Sequence, residues 1–144
     1  MNLKLTSVLI LPLLLAPLLL KAETSPEAFL GHQVGADRKL IDYHQIRAYF
    51  EKLDEESSKV SVLTIGQTTL NEPMIMAVIT SEDNMANLDH YRQITKRLSD
   101  PRGLSPEEAK RLSRNGKTIL LIQTGLHATE IAHSQHSVEF AYKL

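Results

Sequence analysis

Two stretches of the chain repeat apolar residues every three or four positions, the pattern of a helix with one buried face. The first opens with Asp42 and Gln45, spaced as in a capping box, and runs to about Glu56. Its predicted apolar face consists of Tyr43, Ile46, Phe50 and Leu53. The second begins within residues 81–84 and is broken at residues 100–103. Its predicted face consists of Met85, Leu88, Tyr91, Ile94 and Leu98.

Two further helices are predicted from their end signals. Ser105 precedes Pro106, with Glu108 three residues after the serine, which is a strong helix start. This short helix is expected to end at Asn115, before a glycine. A last helix is predicted from about Glu130 to the final residue.

Three strands are predicted from β-branched and apolar runs. Residues 60–67 and 74–80 flank a segment with Asn71 and Pro73, which favours a hairpin. Residues 118–122 are continuously apolar, which indicates a strand buried on both faces. Residues 23–40, punctuated by prolines and glycines, read as an extended lead-in.

The order of these elements predicts an α/β fold with a mixed sheet. Three strands cannot readily cover a central strand on both faces, and the last helix is still unbroken at Leu144. We therefore expect residues 23–144 to be the N-terminal part of an incomplete domain. On its own, such a chain is expected to aggregate readily, because its apolar strand edge lacks partners.

The N-terminus has the layout of a secretory signal peptide. Lys4 precedes an uninterrupted apolar run of 13 residues, from Val8 to Leu20, and Ala22 is the small residue before a predicted cut. The run is shorter than the ~20 residues that a membrane span needs. The alternatives are an uncleaved anchor and a buried helix, and Pro12 and Pro17 weigh against the helix. We expect residues 1–22 to be removed, leaving an exported periplasmic or extracellular protein without a stable membrane span.

Composition narrows the chemistry. The formal net charge is −1, without the concentrated basic face that nucleic-acid binding requires, so no nucleic-acid partner is expected. The chain has no cysteine, which excludes disulfides, thiolate ligands and an acylated lipoprotein cysteine. Any bound metal must therefore be held by histidines and carboxylates.

His127 and Glu130 are the candidate metal ligands. They follow the predicted strand 118–122 and Gly125, where open α/β sheets place their ligands. Imidazole nitrogen and carboxylate oxygen both suit zinc. The spacing alone is weak evidence, because His136 and Glu139 repeat it inside the last helix, where we interpret them as a surface pair or core edge.

A different site using Glu130, His133 and His136 is also conceivable, because the two histidines share a similar helix face. Helix-borne metalloprotease motifs such as H-E-x-x-H are absent, and histidines in such positions are more often solvated than ligating. From local features alone, the choice between a metal site and ordinary helix residues stays open.

The segment Gly-Leu-His127-Ala-Thr-Glu130 after an apolar strand resembles the first zinc motif of the M14 metallocarboxypeptidases, the carboxypeptidase A-like family. The lead-in at residues 25–31 and 35–40 resembles the start of large exported bacterial members, and residues 65–68 with 73–74 are similar to their first hairpin. The resemblance extends in order over nearly all of residues 25–144.

This resemblance implies a zinc-carboxypeptidase-like α/β/α fold, cut off after the first zinc motif, with His127 and Glu130 as the first two zinc ligands. Some members use an arginine beside the ligand glutamate toward substrate, and Thr129 stands there instead. The family's third ligand, its general-base glutamate and its carboxylate-binding residues lie further along than this chain extends. The chain alone is therefore expected to be inactive.

Three functions remain as hypotheses. The first is the front part of an exported zinc metallocarboxypeptidase, which hydrolyses the C-terminal bond of a peptide or peptidoglycan-like stem. The second is a short non-catalytic exported relative, either a binding protein or a pseudogene product. The third is an M14-type deacylase or amidase of small acids, against which the exported lead-in argues.

Overall fold

A computed structural model describes residues 22–144 of the chain. These residues form six helices and a two-stranded sheet. In chain order the elements are α1 Pro26–Leu30, α2 Tyr43–Glu56, β1 Val60–Gln67, β2 Pro73–Ile79, α3 Glu82–Ala86, α4 Leu88–Ser99, α5 Pro106–Asn115 and α6 Ile131–Lys143. The signal-peptide prediction falls almost entirely on residues 1–21, which lie outside the described residues, and it stays a prediction.

Helix α2 begins at the predicted capping box. The Gln45 amide donates to Asp42 Oδ1 at 2.9 Å, and the Asp42 amide donates to Gln45 Oε1 at 3.0 Å. Each side chain thereby satisfies a backbone amide that has no partner within the helix. The predicted helix is confirmed, and Ile46 and Leu53 of its predicted apolar face are buried. Phe50 is only half-buried and Tyr43 is exposed, whereas Tyr49, which was not predicted, is fully buried.

The predicted hairpin is also confirmed. β1 and β2 pair antiparallel from Val60 opposite Ile79 to Gln67 opposite Pro73, with a bulge between Thr64 and Gly66. The intervening turn places Asn71 at a φ of 63°, a left-handed conformation that asparagine tolerates better than most residues.

The hydrophobic core lies between α2, β1 and α6. Tyr49 and Leu53 of α2 are fully buried, as is Val138 of α6. The whole buried cluster consists of Ile41, Ile46, Tyr49, Leu53, Val60, Val138 and Ala141. The core therefore packs α2 and β1, from the first half of the chain, against the last helix, α6.

The helix predicted from residues 81–84 onward is two helices, because it is interrupted at Asn87. This residue has φ −112° and ψ 20°, outside the α-helical range, and its side-chain amide donates to Asp83 O at 2.7 Å. The predicted apolar face is retained: Ile94 is buried and the other four members are half-buried. In α5, begun by Ser105 as predicted, Leu112 is buried.

The prediction that residues 23–40 are extended was wrong at α1, because Pro26–Leu30 form a short helix. Ser25 accepts a hydrogen bond from the Ala28 amide at 3.2 Å, and Pro26 occupies the first turn. A serine followed by proline also starts α5, where the helix was predicted. The same pair at Ser25 and Pro26 therefore also predicts a helix, and this signal was missed.

The buried strand predicted at residues 118–122 was also wrong. The segment has no regular secondary structure, and Ile119, Leu120, Leu121 and Ile122 are 68%, 79%, 78% and 50% exposed. A strand exists only with a hydrogen-bonded neighbour, and β1 and β2 pair with each other. The residues from 22 onward thus combine helices with a small antiparallel sheet, which is compatible with the α/β class. No helix among them has the length and apolar character needed to cross a bilayer.

Candidate metal centre

A tight turn leads from the exposed apolar segment into α6 and carries both candidate ligands. The Glu130 amide donates to His127 O at 3.0 Å, which brings the two side chains to the same side of the turn. Gly125 precedes it with a φ of 71°, a left-handed value that favours glycine. A Cβ at Gly125 would lie 2.8 Å from Ser134 Oγ, so this part of the chain passes close to the first turns of α6.

His127 and Glu130 are in direct contact. His127 Nδ1 lies 2.9 Å from Glu130 Oε1, and the His127 backbone amide donates to Glu130 Oε2 at 3.3 Å. Both side chains are open to solvent, with 67% of His127 and 39% of Glu130 exposed. The predicted pair is therefore assembled at the start of α6 and is accessible from outside.

The carboxyl group of Glu130 is held in its ionised form. The hydrogen bond from the His127 side chain lowers its pKa below the ordinary value, and the backbone amide of His127 and the nearby His133 act in the same direction. Partial removal from water opposes this shift, but the net direction of the pKa is downward. An ionised carboxylate is the form that binds a metal ion.

His133 also contacts Glu130, whereas His136 does not. His133 Nδ1 lies 3.7 Å from Glu130 Oε2, the oxygen that does not face the His127 ring. The ring of His136 lies beside Phe140, with 5.9 Å between the centroids, and Glu139 pairs with Lys143. In the second H-x-x-E match, His136 is thus exposed and Glu139 half-buried, and each has another neighbour on α6.

The donor set at the turn suits zinc but is only part of a site. One imidazole nitrogen and one carboxylate oxygen are two of the three protein ligands that catalytic zinc sites use. Within residues 22–144, no group of three or more His, Cys, Asp or Glu side chains is arranged to hold a metal ion.

Sequence reasoning missed one polar residue that bears on this turn. Gln135 is buried on the face of α6 that also carries Val138 and Ala141. Its side chain is hydrogen-bonded to the backbone of Ile41. The sequence does contain a signal for it. Gln135 lies three residues before Val138, on the side of the helix that faces the core, where an apolar residue is usual, so a polar residue there indicates a buried hydrogen bond.

Imidazole and carboxylate groups paired at a helix start are the donor types found in zinc hydrolases. The family model for zinc carboxypeptidases, peptidase M14, matches residues 46–144, which include both His127 and Glu130. The chain belongs to this family, and the resemblance noted from the sequence is confirmed. The comparisons with curated proteins and with solved structures gave no match.

Proposed function

We propose that the protein is an exported zinc metallocarboxypeptidase and that this chain supplies His127 and Glu130 as two of its zinc ligands. The observation that carries the proposal is the 2.9 Å contact between His127 Nδ1 and Glu130 Oε1, within the part of the chain that matches the zinc carboxypeptidase family. The substrate class is a peptide or peptidoglycan-like stem with a free C-terminus. The fold proposed for the complete domain is the family's mixed-sheet α/β/α arrangement.

Each residue of the pair has a distinct part in holding the metal. His127 offers a ring nitrogen, and Glu130 offers a carboxylate that its neighbours keep ionised. The backbone amide of His127 holds the second carboxylate oxygen, which limits rotation of the Glu130 side chain. Zinc bound there would supply a Lewis acid that polarises a peptide carbonyl and makes water a better nucleophile near neutral pH.

The first experiment measures zinc binding by titration calorimetry on residues 23–144. We expect weak binding, because two ligands leave the coordination open. His127→Ala and Glu130→Ala should each reduce it. His136→Ala is the matched control, since it removes an imidazole from the same region without touching the pair, and it should change little. Loss of binding in His136→Ala alone would show that the ligand assignment is wrong.

The second experiment tests the reaction on the protein expressed from its complete reading frame. Release of the C-terminal residue from a peptide with a free carboxylate should depend on added zinc and be lost in His127→Ala. The same peptide with an amidated C-terminus is the control. Zinc binding without hydrolysis would favour the non-catalytic relative, and hydrolysis restricted to amides or esters of small acids would favour the deacylase.

Export is part of the proposal and has its own test. The apolar run of residues 8–20 and the small residue Ala22 motivate cleavage after residue 22. Mass spectrometry of protein recovered from the periplasm or medium should give Glu23 as the first residue. A secreted protein that still begins at Met1 would count against a cleaved signal peptide.

A further inference from the structure

Gln135 forms a two-point contact with the backbone of a residue far away in the sequence. The Ile41 amide donates to Gln135 Oε1 at 3.2 Å, and Gln135 Nε2 donates to Ile41 O at 2.8 Å. Both hydrogen bonds are buried, and Gln135 itself is only 8% exposed. A glutamine amide carries one acceptor and one donor group, so it pairs with a peptide group much as a neighbouring strand would.

The contact joins the beginnings of two helices. Ile41 comes directly before Asp42, the N-cap of α2. Gln135 is in the second turn of α6. Because a buried backbone group without a partner is costly, the Gln135–Ile41 contact resists separation of these two points.

The two halves of α6 are held in different ways. Val138 and Ala141, in the C-terminal half, are buried in the hydrophobic core. In the N-terminal half, Ile131 is 47% exposed, and Gln135 is the first buried residue after Glu130. At a rise of 1.5 Å per residue, it lies about 7.5 Å along the helix from Glu130. Gln135 is therefore the buried anchor nearest to the candidate ligand.

The segment that bears His127 rests against the same part of the helix. Gly125 approaches Ser134, the residue directly before Gln135, so closely that an added Cβ would lie 2.8 Å from Ser134 Oγ. Displacing the second turn of α6 would therefore move both the surface that supports the His127 segment and the helix start that carries Glu130.

We propose that Gln135 is a positioning residue for the candidate zinc site. Its two hydrogen bonds to Ile41 fix the first turns of α6 and thereby keep His127 and Glu130 facing each other. The assignment to zinc rests on the proposed function, whereas the geometric link from Gln135 to the pair does not. Groups that hydrogen-bond to metal ligands from outside the coordination sphere commonly change metal affinity by about 10- to 100-fold when they are replaced. Gln135 acts on the pair through the helix, so we expect an effect at the lower end of that range.

The test compares two substitutions on α6. Gln135→Met keeps the length of the side chain and removes both hydrogen bonds to Ile41. Val138→Ala removes packing from the core-held half of the helix and leaves those hydrogen bonds in place. Zinc affinity is measured by calorimetry on residues 23–144 at a temperature where circular dichroism shows both variants folded. We expect about tenfold weaker binding for Gln135→Met. Val138→Ala, which acts on the other half of α6, should lie within about twofold of wild type.

A second readout needs no metal. In ¹H–¹⁵N spectra of the metal-free protein, the amide of Ile41 should exchange faster with solvent in Gln135→Met. The amide signals of His127 and Glu130 should shift or broaden in that variant and not in Val138→Ala. If Gln135→Met does not fold, Gln135→Asn replaces it, because its amide is one methylene too short to keep both bonds, and the same changes are expected.

The outcomes separate this proposal from the proposed function. Zinc binding that is insensitive to His127→Ala and Glu130→Ala would sink the zinc assignment, and the metal-free spectra would still decide whether Gln135 positions the pair. Unchanged His127 and Glu130 signals in Gln135→Met, despite faster exchange at Ile41, would overturn the positioning role. So would an equal loss of zinc affinity in Val138→Ala, since the effect would then be general destabilisation.

Discussion

Two apolar parts of the chain have similar side chains and opposite surroundings. On α2, Ile46 is 8% exposed and Leu53 is fully buried. In residues 118–122, Leu120 and Leu121 are 79% and 78% exposed. Apolar character alone therefore does not bury a residue in this protein. The difference lies in the backbone to which each side chain is attached.

A helix satisfies its own backbone, whereas a strand depends on a neighbour. The amides and carbonyls of α2 bond within the helix, so α2 needs only an apolar surface to pack against, and β1 and α6 provide one. Residues 118–122 would also need a paired strand before their side chains could be buried. The site-bearing turn follows four residues after this segment, so an exposed apolar run leads into the candidate ligands.

The largest expected contrast is between matched leucine truncations. Leu53→Ala should lower the free energy of unfolding by about 3 kcal/mol, because it leaves a cavity in the core. Leu121→Ala should change it by less than about 0.5 kcal/mol, because its side chain is already in water. Urea denaturation followed by circular dichroism measures both. A large loss in Leu121→Ala would mean that the segment is packed in solution.

A second contrast uses two glycines with similar backbone angles. Gly125 and Gly35 have φ values of 71° and 79°, so alanine at either should cost about 1–2 kcal/mol of conformational strain. Only Gly125 also has a close neighbour, Ser134, and its substitution should cost more. Thermal denaturation measures the difference, which should disappear in a Ser134→Ala background. Equal costs in the wild-type background would show that the site-bearing segment does not rest on α6.

A third prediction concerns Tyr49, whose hydroxyl donates to Thr24 O at 3.0 Å. Tyr49→Phe should lower stability by about 1 kcal/mol, the usual contribution of one hydrogen bond. Burial raises the pKa of Tyr49 above its ordinary 10.0. Because the folded state disfavours the ionised phenol, wild type should lose stability as the pH rises above 10.0, and Tyr49→Phe should lose less. Tyr91→Phe, on α4 and outside the core cluster, is the control. Identical alkaline profiles for wild type and Tyr49→Phe would contradict the burial of this ring.

The smallest effects concern two carboxylates near the ends of α6. A hydrogen bond from Lys143 lowers the pKa of Glu139, and one from His127 lowers that of Glu130. Both contributions to stability should be complete above the ordinary pKa of 4.5 and lost as the pH falls below it through the folded-state values. Carboxyl NMR titration of metal-free protein should show each pKa rising in Lys143→Met or His127→Ala respectively. A Glu130 pKa that is unchanged in His127→Ala would mean that the pair does not form in solution.

The sequence predicted those parts of the fold that are determined locally. The capping box at Asp42, the Ser-Pro start of α5 and the turn between β1 and β2 are each written in a few neighbouring residues. The break at Asn87 was missed because the apolar periodicity continues through it. The prediction for residues 118–122 failed because a strand must pair with another strand that is distant in the sequence. A local run of apolar residues does not show whether such a partner is present.

The candidate site divides in the same way. His127 and Glu130 were predicted because their segment resembles a family motif, since the spacing alone was weak evidence and the buried strand expected before them was wrong. Their contact forms across a short turn, so it needs no distant part of the chain. The contact of His133 with Glu130 depends on how α6 begins, and Gln135 meets Ile41 only through the tertiary fold. The pair was therefore predictable from sequence, whereas the residue proposed to hold it in place was not.

The bond between Ile41 and Gln135 spans 94 positions of the sequence, which has a consequence for the order of folding. The ribosome synthesises α2 before α6, so Tyr49 and Leu53 cannot pack against Val138 until α6 has been made. Long-range closure of this kind slows folding, because the loop must be ordered before its contacts form. If the chain is exported as proposed above, that delay would help to keep the nascent polypeptide unfolded until it has crossed the membrane.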